Sequence, residues 1–278
     1  NSRPEDFATI PRYVSMLGLK AREEADKKTP KSTDEWATTS SQLRERLRRV
    51  LRLKPHALEG SPYNVRVPLP LEGGLSTDLI IAAPDGSAEY INLILSPKGK
   101  EGAMASEYWN DALRKHEYAA TMDLRWTGEL TWKRDARGES PHHNSPRAAL
   151  WLGKRLMGIW VDDVLRGVEA LKCRAKKIRV IGMGYMGLVS IIAGALGTTI
   201  SSVVAENFLS SYSRGGSFPG ESMGVMVPDI LTEVGDIPHI ASLIAPRELT
   251  LSHALNSEGE VLDKEDLLSE FAFTMDIY

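Results

Sequence analysis

The sequence predicts an α/β protein with a doubly wound, mostly parallel sheet, entered through antiparallel strands and preceded by a helical segment. Three observations predict it. From residue 90 onward, short apolar runs alternate with stretches of helical period, the order that a parallel sheet covered on both faces requires. Between residues 63 and 96 the runs are short and broken by turn signals, as in consecutive antiparallel strands. Residues 178–189, IRVIGMGYMGLV, read as an apolar strand, a tight glycine turn and the start of a helix.

The elements follow in order. Residues 1–31 are mixed and polar. Ser32 with Glu35 three positions on is a capping-box start. The helix after it carries Leu43, Leu47, Val50 and Leu51 on one face and Arg44, Arg46, Arg48, Arg49 and Arg52 on the other, and ends before Pro55. The basic face reads as solvated rather than anion-binding, because no aromatics or glycines accompany it. Strands are expected at 64–70, 79–83 and 90–95, with Asp85-Gly86 as a turn. A helix at 104–115 precedes a strand at 118–122. A long helix at 148–171 places Leu152, Leu156, Ile159, Trp160, Val164, Val168 and Leu171 on its buried side. Then come a strand at 178–181, a helix at 188–196, strands at 202–205 and 249–252, and a closing helix at 264–277. The expected organisation is a helical N-terminal extension over 1–60 and one domain over 61–278.

Composition bounds the function. With 278 residues and a net charge of -3, nothing attracts the chain in bulk to nucleic acid or anionic membranes. No apolar run reaches the ~20 residues that cross a bilayer. The single Cys173 excludes a disulfide framework and reads as packing. The chain begins at Asn1 rather than Met, so a processed chain or an excerpt is expected. A secreted or periplasmic place after signal-peptide removal is compatible with the sequence, which does not itself fix the compartment.

The glycine turn admits two chemistries. Gly182, Gly184 and Gly187 fit G-x-G-x-x-G, and Glu206 ends the next strand about 20 residues on, where a ribose-binding acid sits in an NAD(P)-binding domain. The same turn fits the nucleophile elbow G-x-S-x-G, with Gly184 where the serine belongs. Position favours the elbow. Several strands precede the turn, whereas a dinucleotide fingerprint opens its domain.

Four further segments carry a resemblance. ATMDLRWTGE at 120–129 is similar to the D-x-R-G-x-G-E stretch of α/β-hydrolases. LGKRLMGIWVDDVLR at 152–166 resembles the helix before their elbow strand. AGALG at 193–197 and APRELTL at 245–251 resemble the segments that follow the elbow. Lying in order between Ala120 and Leu251, they resemble the acetyl xylan esterase-like and prolyl-oligopeptidase-like hydrolases. The resemblance implies a hydrolase domain from about residue 62, one that lacks its last strand and helix at Tyr278.

It also lets each part of a serine esterase be checked. Gly184 occupies the nucleophile slot and Asn256 the acid slot, and the histidine slot falls beyond Tyr278. Tyr185 would supply one oxyanion N–H, with a second from the turn at 97–100, where Lys98 and Gly99 are the candidates. Asp123, Arg125, His142, His143 and His253 complete the candidate pocket, with Glu258 as a substitute acid. His142 and His143 are adjacent, point apart and make a poor metal pair. Trp126, Trp132, Trp151 and Trp160 read as core packing rather than a sugar platform. The expectation is an inactive hydrolase homologue acting as a binding or structural module, without cofactor or metal, whose partner is a protein or a carbohydrate. The alternatives are an active carboxylic-ester hydrolase with a displaced nucleophile and an NAD(P)-binding oxidoreductase.

Overall fold

The computed structural model describes residues 10–54, 66–83, 88–132, 135–137 and 140–278. Pro55, the first residues of the 64–70 strand and the Asp85-Gly86 turn lie outside them. Among the described residues, seven strands form one sheet: β1 (Arg66–Pro70), β2 (Ser76–Ala82), β3 (Tyr90–Leu95), β4 (Tyr118–Thr121), β5 (Lys177–Met183), β6 (Ile200–Glu206) and β7 (Glu248–Ser252). Their order is β1-β2-β4-β3-β5-β6-β7. The β1–β2 and β2–β4 pairs are antiparallel, and every later pair is parallel. The expected sheet is therefore the observed one. In β3, five of six residues are buried, because a central parallel strand meets helices on both faces.

The helices are α1 (Ile10–Asp26), α2 (Thr33–Leu51), α3 (Gly99–Met104), α4 (Glu107–Arg114), α5 (Asn144–Trp151), α6 (Leu156–Leu171), α7 (Tyr185–Leu196), α8 (Ile230–Glu233), α9 (Ile237–Ser242), α10 (Lys264–Glu270) and α11 (Ala272–Ile277). The polar run at 1–31 therefore contains a helix that the reading did not anticipate. The helix expected at 104–115 is α4, preceded by a separate α3, and the single helices expected at 148–171 and 264–277 are each two. The 148–171 break falls where Gly153 takes a φ of 68°. Leu152, expected inside, is 75% exposed beside a 77% exposed Trp151. Trp132 is exposed as well, so of the four tryptophans only Trp160 lies fully in the core. Cys173 is exposed rather than packed.

The core is nearly continuous. α6 and α7 pack on each other, α7 lies on β5 and β6 and α6 on β1, and α2 joins the two helices through Leu47 and Leu51, almost wholly buried. The basic face of α2 is solvated only in part: Arg48 and Arg49, with Arg52 just after the helix, are exposed, while Arg44 and Arg46 are half-buried. Arg44 donates to the carbonyls of Ala195 (3.0 Å) and Leu243 (2.6 Å), and Arg48 to that of Leu196 (3.1 Å). These cations meet the C-terminal end of α7, where unpaired carbonyls and the negative pole of the helix dipole favour them.

Candidate active site

The glycine turn stands at the carboxyl end of β5, near the middle of the sheet. Gly184 adopts φ 58° and ψ −141° before the first residue of α7, a conformation open almost only to glycine unless surrounding structure enforces it. Its N–H donates to the Glu206 carbonyl at 2.8 Å, and its own carbonyl accepts from the Gly187 N–H at 2.8 Å. Gly182 and Gly187 serve packing. A Cβ on Gly182 would lie 2.1 Å from the Met186 carbonyl oxygen, and one on Gly187 would lie 2.8 Å from Phe208 Cβ. A Cβ on Gly184 would point at the Pro97 ring, with Cγ at 3.0 Å. The bend has the backbone shape of an elbow, with bare main chain under a proline.

The oxyanion donors expected from the turn after β3 are occupied. Lys98 N–H donates to Ser96 Oγ at 3.2 Å, and Gly99 N–H to the Ser96 carbonyl at 2.9 Å. Lys100 N–H donates to Asp123 Oδ1 at 2.7 Å, and Pro97 has no N–H. The N–H groups of Lys98 and Gly99 are thus engaged in the turn.

Asp123 and Arg125 are buried and hydrogen-bonded to other residues of the protein. Asp123 is buried and also accepts from Glu129 N–H (3.2 Å) and Lys100 Nζ (3.2 Å). Gly99 and Gly128 pack so tightly on its carboxylate that a Cβ on either would overlap it. Arg125 holds Asp163 through its backbone N–H and guanidinium, at 2.9 Å each, and reaches Asp162 at 3.3 Å. Burial pushes the Asp163 carboxyl up to about 6, against the pull of Arg125. The Arg125 carbonyl accepts from Trp160 Nε1 at 2.7 Å.

His142 is buried beneath the mouth. Its Nε2 donates to the Trp126 carbonyl (3.0 Å) and its Nδ1 accepts from Ser222 Oγ (2.9 Å). This leaves a neutral ring with both nitrogens used, and burial holds its pKa below the usual histidine value. The ring meets Trp160 and Tyr185 edge-on, with centroids 5.1 and 5.5 Å away. Tyr185 stacks on Trp160 and donates its hydroxyl to the Pro97 carbonyl at 3.2 Å. The same residues that line the elbow therefore fasten Pro97 over it. His143 is half-buried beside His142, and among the described residues no cluster of three metal-ligating side chains forms.

Asn256 does not hold a histidine. Its Oδ1 accepts from the N–H groups of Glu258 and Glu260, at 2.9 Å each, and its Nδ2 donates to Glu260 Oε2 at 3.0 Å. It braces its own turn. Glu258 accepts from Ser217 Oγ at 2.9 Å, away from any histidine.

Two groupings were not foreseen. At the ends of β6 and β7, His253 Nδ1 lies 3.5 Å from Glu206 Oε1, and burial together with the Glu206 charge holds the Tyr108 phenol above its ordinary range. Glu206 was singled out only as a ribose acid, and Tyr108 carried no signal because it comes from a distant helix. Separately, Glu221 has a buried Oε2 without a hydrogen-bond partner. Burial pushes its carboxyl up to about 7, with only the Ser222 N–H opposing. Its charge also bears on the Tyr185 and Tyr212 phenols, both held above their ordinary range mainly by burial.

The sheet order speaks against a dinucleotide site. The turn follows the fifth strand, whereas a Rossmann fingerprint follows the first strand of order 3-2-1-4-5-6.

No protein-family model matches this chain, and no curated protein matches it. Solved structures do share its fold. Methylesterase BT1017 superposes with a TM-score of 0.62 at 16% identity, over 95% of this chain and 60% of that one. The glucuronoyl esterase catalytic domain (Cip2_GE) from Hypocrea jecorina gives a TM-score of 0.57 at 18% identity, over 87% and 73% of the two chains. A carbohydrate esterase family 15 glucuronoyl esterase from Caldicellulosiruptor kristjansonii gives 0.56 at 14%, over 89% and 77%. The fold is thus that of the α/β-hydrolases, and this chain spans about three-fifths of the length of the methylesterase.

Proposed function

We propose that this chain is a catalytically inactive α/β-hydrolase of the carbohydrate-esterase type, serving as a binding or structural module. One observation carries the reading: Gly184 stands at the elbow with no side chain, and the Pro97 ring covers the place where one would project. Loss of an attacking serine costs about six orders of magnitude in rate. The occupied N–H groups after β3 support the same conclusion, since they leave half of an oxyanion site without donors. What such a scaffold retains is the crevice outside the carboxyl ends of its strands, where open α/β sheets bind ligands. There the Glu206 carboxylate, the His253 imidazole and the Tyr108 phenol offer polar contacts to a protein or carbohydrate partner.

Hydrolysis of p-nitrophenyl acetate and labelling by a fluorophosphonate test this directly. The expected result is no turnover above the buffer rate and no covalent adduct. Turnover that disappears on replacing a single residue of the mouth would overturn the reading in favour of a displaced nucleophile.

A further inference from the structure

Cations from separate stretches of the chain meet where α2 ends and α6 begins. The end of α2 brings Arg52 and Lys54, and the turn before α6 brings Lys154 and Arg155. Gly158 permits the approach. A Cβ there would lie 1.9 Å from the Leu51 carbonyl oxygen, so a bare Cα lets α6 abut the end of α2. Arg125, following β4, and Arg166, on α6, complete the basic lining of a cavity of about 130 Å³. Six cations thus face two lining carboxylates, Glu72 and Asp162, with Asp163 behind Arg125. With all three carboxylates ionised, three positive charges remain in excess.

The carboxylates are already shared. Glu72 takes Lys154 at 2.5 Å, Lys54 at 3.4 Å and Arg125 at 3.7 Å. Asp162 takes Arg166 at 2.8 Å and Arg125 at 3.3 Å. Arg52 and Arg155 have no carboxylate partner among the described residues. Arg155 Nη1 donates to the Lys154 carbonyl at 3.2 Å, and its Nε is buried with no acceptor. Buried donors are almost always paired in folded proteins, so this guanidinium has hydrogen-bonding capacity that its neighbours leave unused.

We propose that this cavity binds a small tetrahedral oxyanion, phosphate or sulfate. Two negative charges offset most of the positive excess. Glu72 and Asp162 repel an anion, but each is neutralised by more than one cation. Size limits the ligand, because pockets for drug-sized molecules run to about 300–1,000 Å³ and this one admits an ion of a few heavy atoms. Arg52 and Arg155 approach from two different elements, and the guanidinium fork matches such oxygens two at a time, while Lys154 adds a point charge. The proposal shares no residue with the turn at Gly184 and stands whether or not that elbow is active.

Isothermal titration of sodium phosphate and, separately, of sodium sulfate tests it, with sodium chloride holding the ionic strength constant. Saturable binding of one ion per chain is expected, millimolar or tighter, and the arm that binds more tightly identifies the anion. Arg155→Gln should weaken it by about tenfold, the worth of one hydrogen bond to a charged group, and Arg155→Lys by less. Arg52→Gln, at an exposed position, makes the same test if far-UV circular dichroism shows the Arg155 variants misfolded. No saturable heat from either dianion overturns the proposal. So does binding that neither Arg52→Gln nor Arg155→Gln weakens, or a response equal to that of chloride, which would be charge screening alone.

Discussion

Pro97 Cγ lies 3.0 Å from the point that a Cβ on Gly184 would occupy. The relationship explains why the elbow is more than an esterase elbow with one atom group removed. A serine there would bring its Cβ against the proline ring, and the ring is held by the Tyr185 hydroxyl on the Pro97 carbonyl. Tyr185 is in turn stacked on Trp160, which is anchored on the Arg125 carbonyl. The covering of the bend is thus tied into the core.

Gly184→Ser is accordingly expected to yield no esterase activity and to destabilise the fold. A side chain at φ 58° and ψ −141° costs about 1–3 kcal/mol by backbone strain, to which the Pro97 contact adds. Gly184→Ala should lose a similar amount in urea unfolding, and adding Pro97→Ala should restore part of it. Turnover of p-nitrophenyl acetate by Gly184→Ser would contradict this account.

Stability should fall as pH rises through the range of the buried carboxyls. Glu221 is pushed up to about 7 from an ordinary 4.5, and Asp163 up to about 6 from 3.8. Between those values the unfolded chain releases protons that the folded chain keeps, so stability is greatest below the lower figures and declines toward the higher ones. His142 and His239, whose pKa values burial lowers, act in the opposite sense around pH 6.5. Glu221→Gln isolates the acid. It should flatten the decline between pH 5 and 7 and raise stability at pH 8 by about 1–3 kcal/mol. Unfolding curves across that range check it, and an unchanged slope would rule it out.

The fold was more legible than the site, for a physical reason. Strand and helix periods are local, so the alternation after residue 90 and the turn at Gly184 could be read directly. The breaks at Gly153 and Phe271 were hidden because apolar spacing continues across them. At the site, Gly184 and Asn256 were readable as departures from a motif. What covers Gly184 was not, because Pro97 lies 87 positions away and its placement depends on the β3–β5 pairing. Tyr108 and His253 meet Glu206 only through the same tertiary assembly. That Arg44 and Arg48 also cap a helix end could not be read, because a basic helix face and a set of helix-end caps look identical until the partner helix is in place.

Asp123→Ala should be among the most damaging single substitutions. It would leave the Lys100 ammonium buried with one outer partner, Glu129, and strip acceptors from the Lys100 and Glu129 N–H groups. Breaking a buried pair in this way costs about 3–5 kcal/mol. Asp123→Asn, which retains acceptor capacity and shape, should lose less. Chemical denaturation distinguishes the two, and equal losses would mean that the carboxylate charge contributes nothing.

NAD and NADP should produce no thermal stabilisation. A bound cofactor at one hundred times its dissociation constant would add about 2.7 kcal/mol, readily seen in a melting curve. The fingerprint glycines have other employment here: Gly182 and Gly187 let α7 approach the sheet and Phe208, and Glu206 is engaged with His253 and Tyr108. A millimolar-range shift abolished by Glu206→Ala would reopen the dinucleotide reading.

Arg247 tests how the end of α7 is held. Its guanidinium donates to the carbonyls of Gly194 (2.7 Å), Gly197 (2.8 Å) and Ile200 (2.8 Å), with no carboxylate among these acceptors. Arg44 brings a second cation to the same helix end, and burial first, then the Arg44 charge, lowers the hold of Arg247 on its proton. The arrangement stands because the acceptors are the unpaired carbonyls of a helix terminus and a turn, which carry partial negative charge. Arg247→Leu should therefore cost at least about 2 kcal/mol, since hydrogen bonds to a charged group contribute about 1.5–3 kcal/mol each. Arg247→Lys should recover only part of that loss, because an ammonium cannot span three carbonyls in the plane of a guanidinium. If both variants unfold at the same urea concentration as the parent, the carbonyls are satisfied by water alone and the cap contributes nothing to the fold.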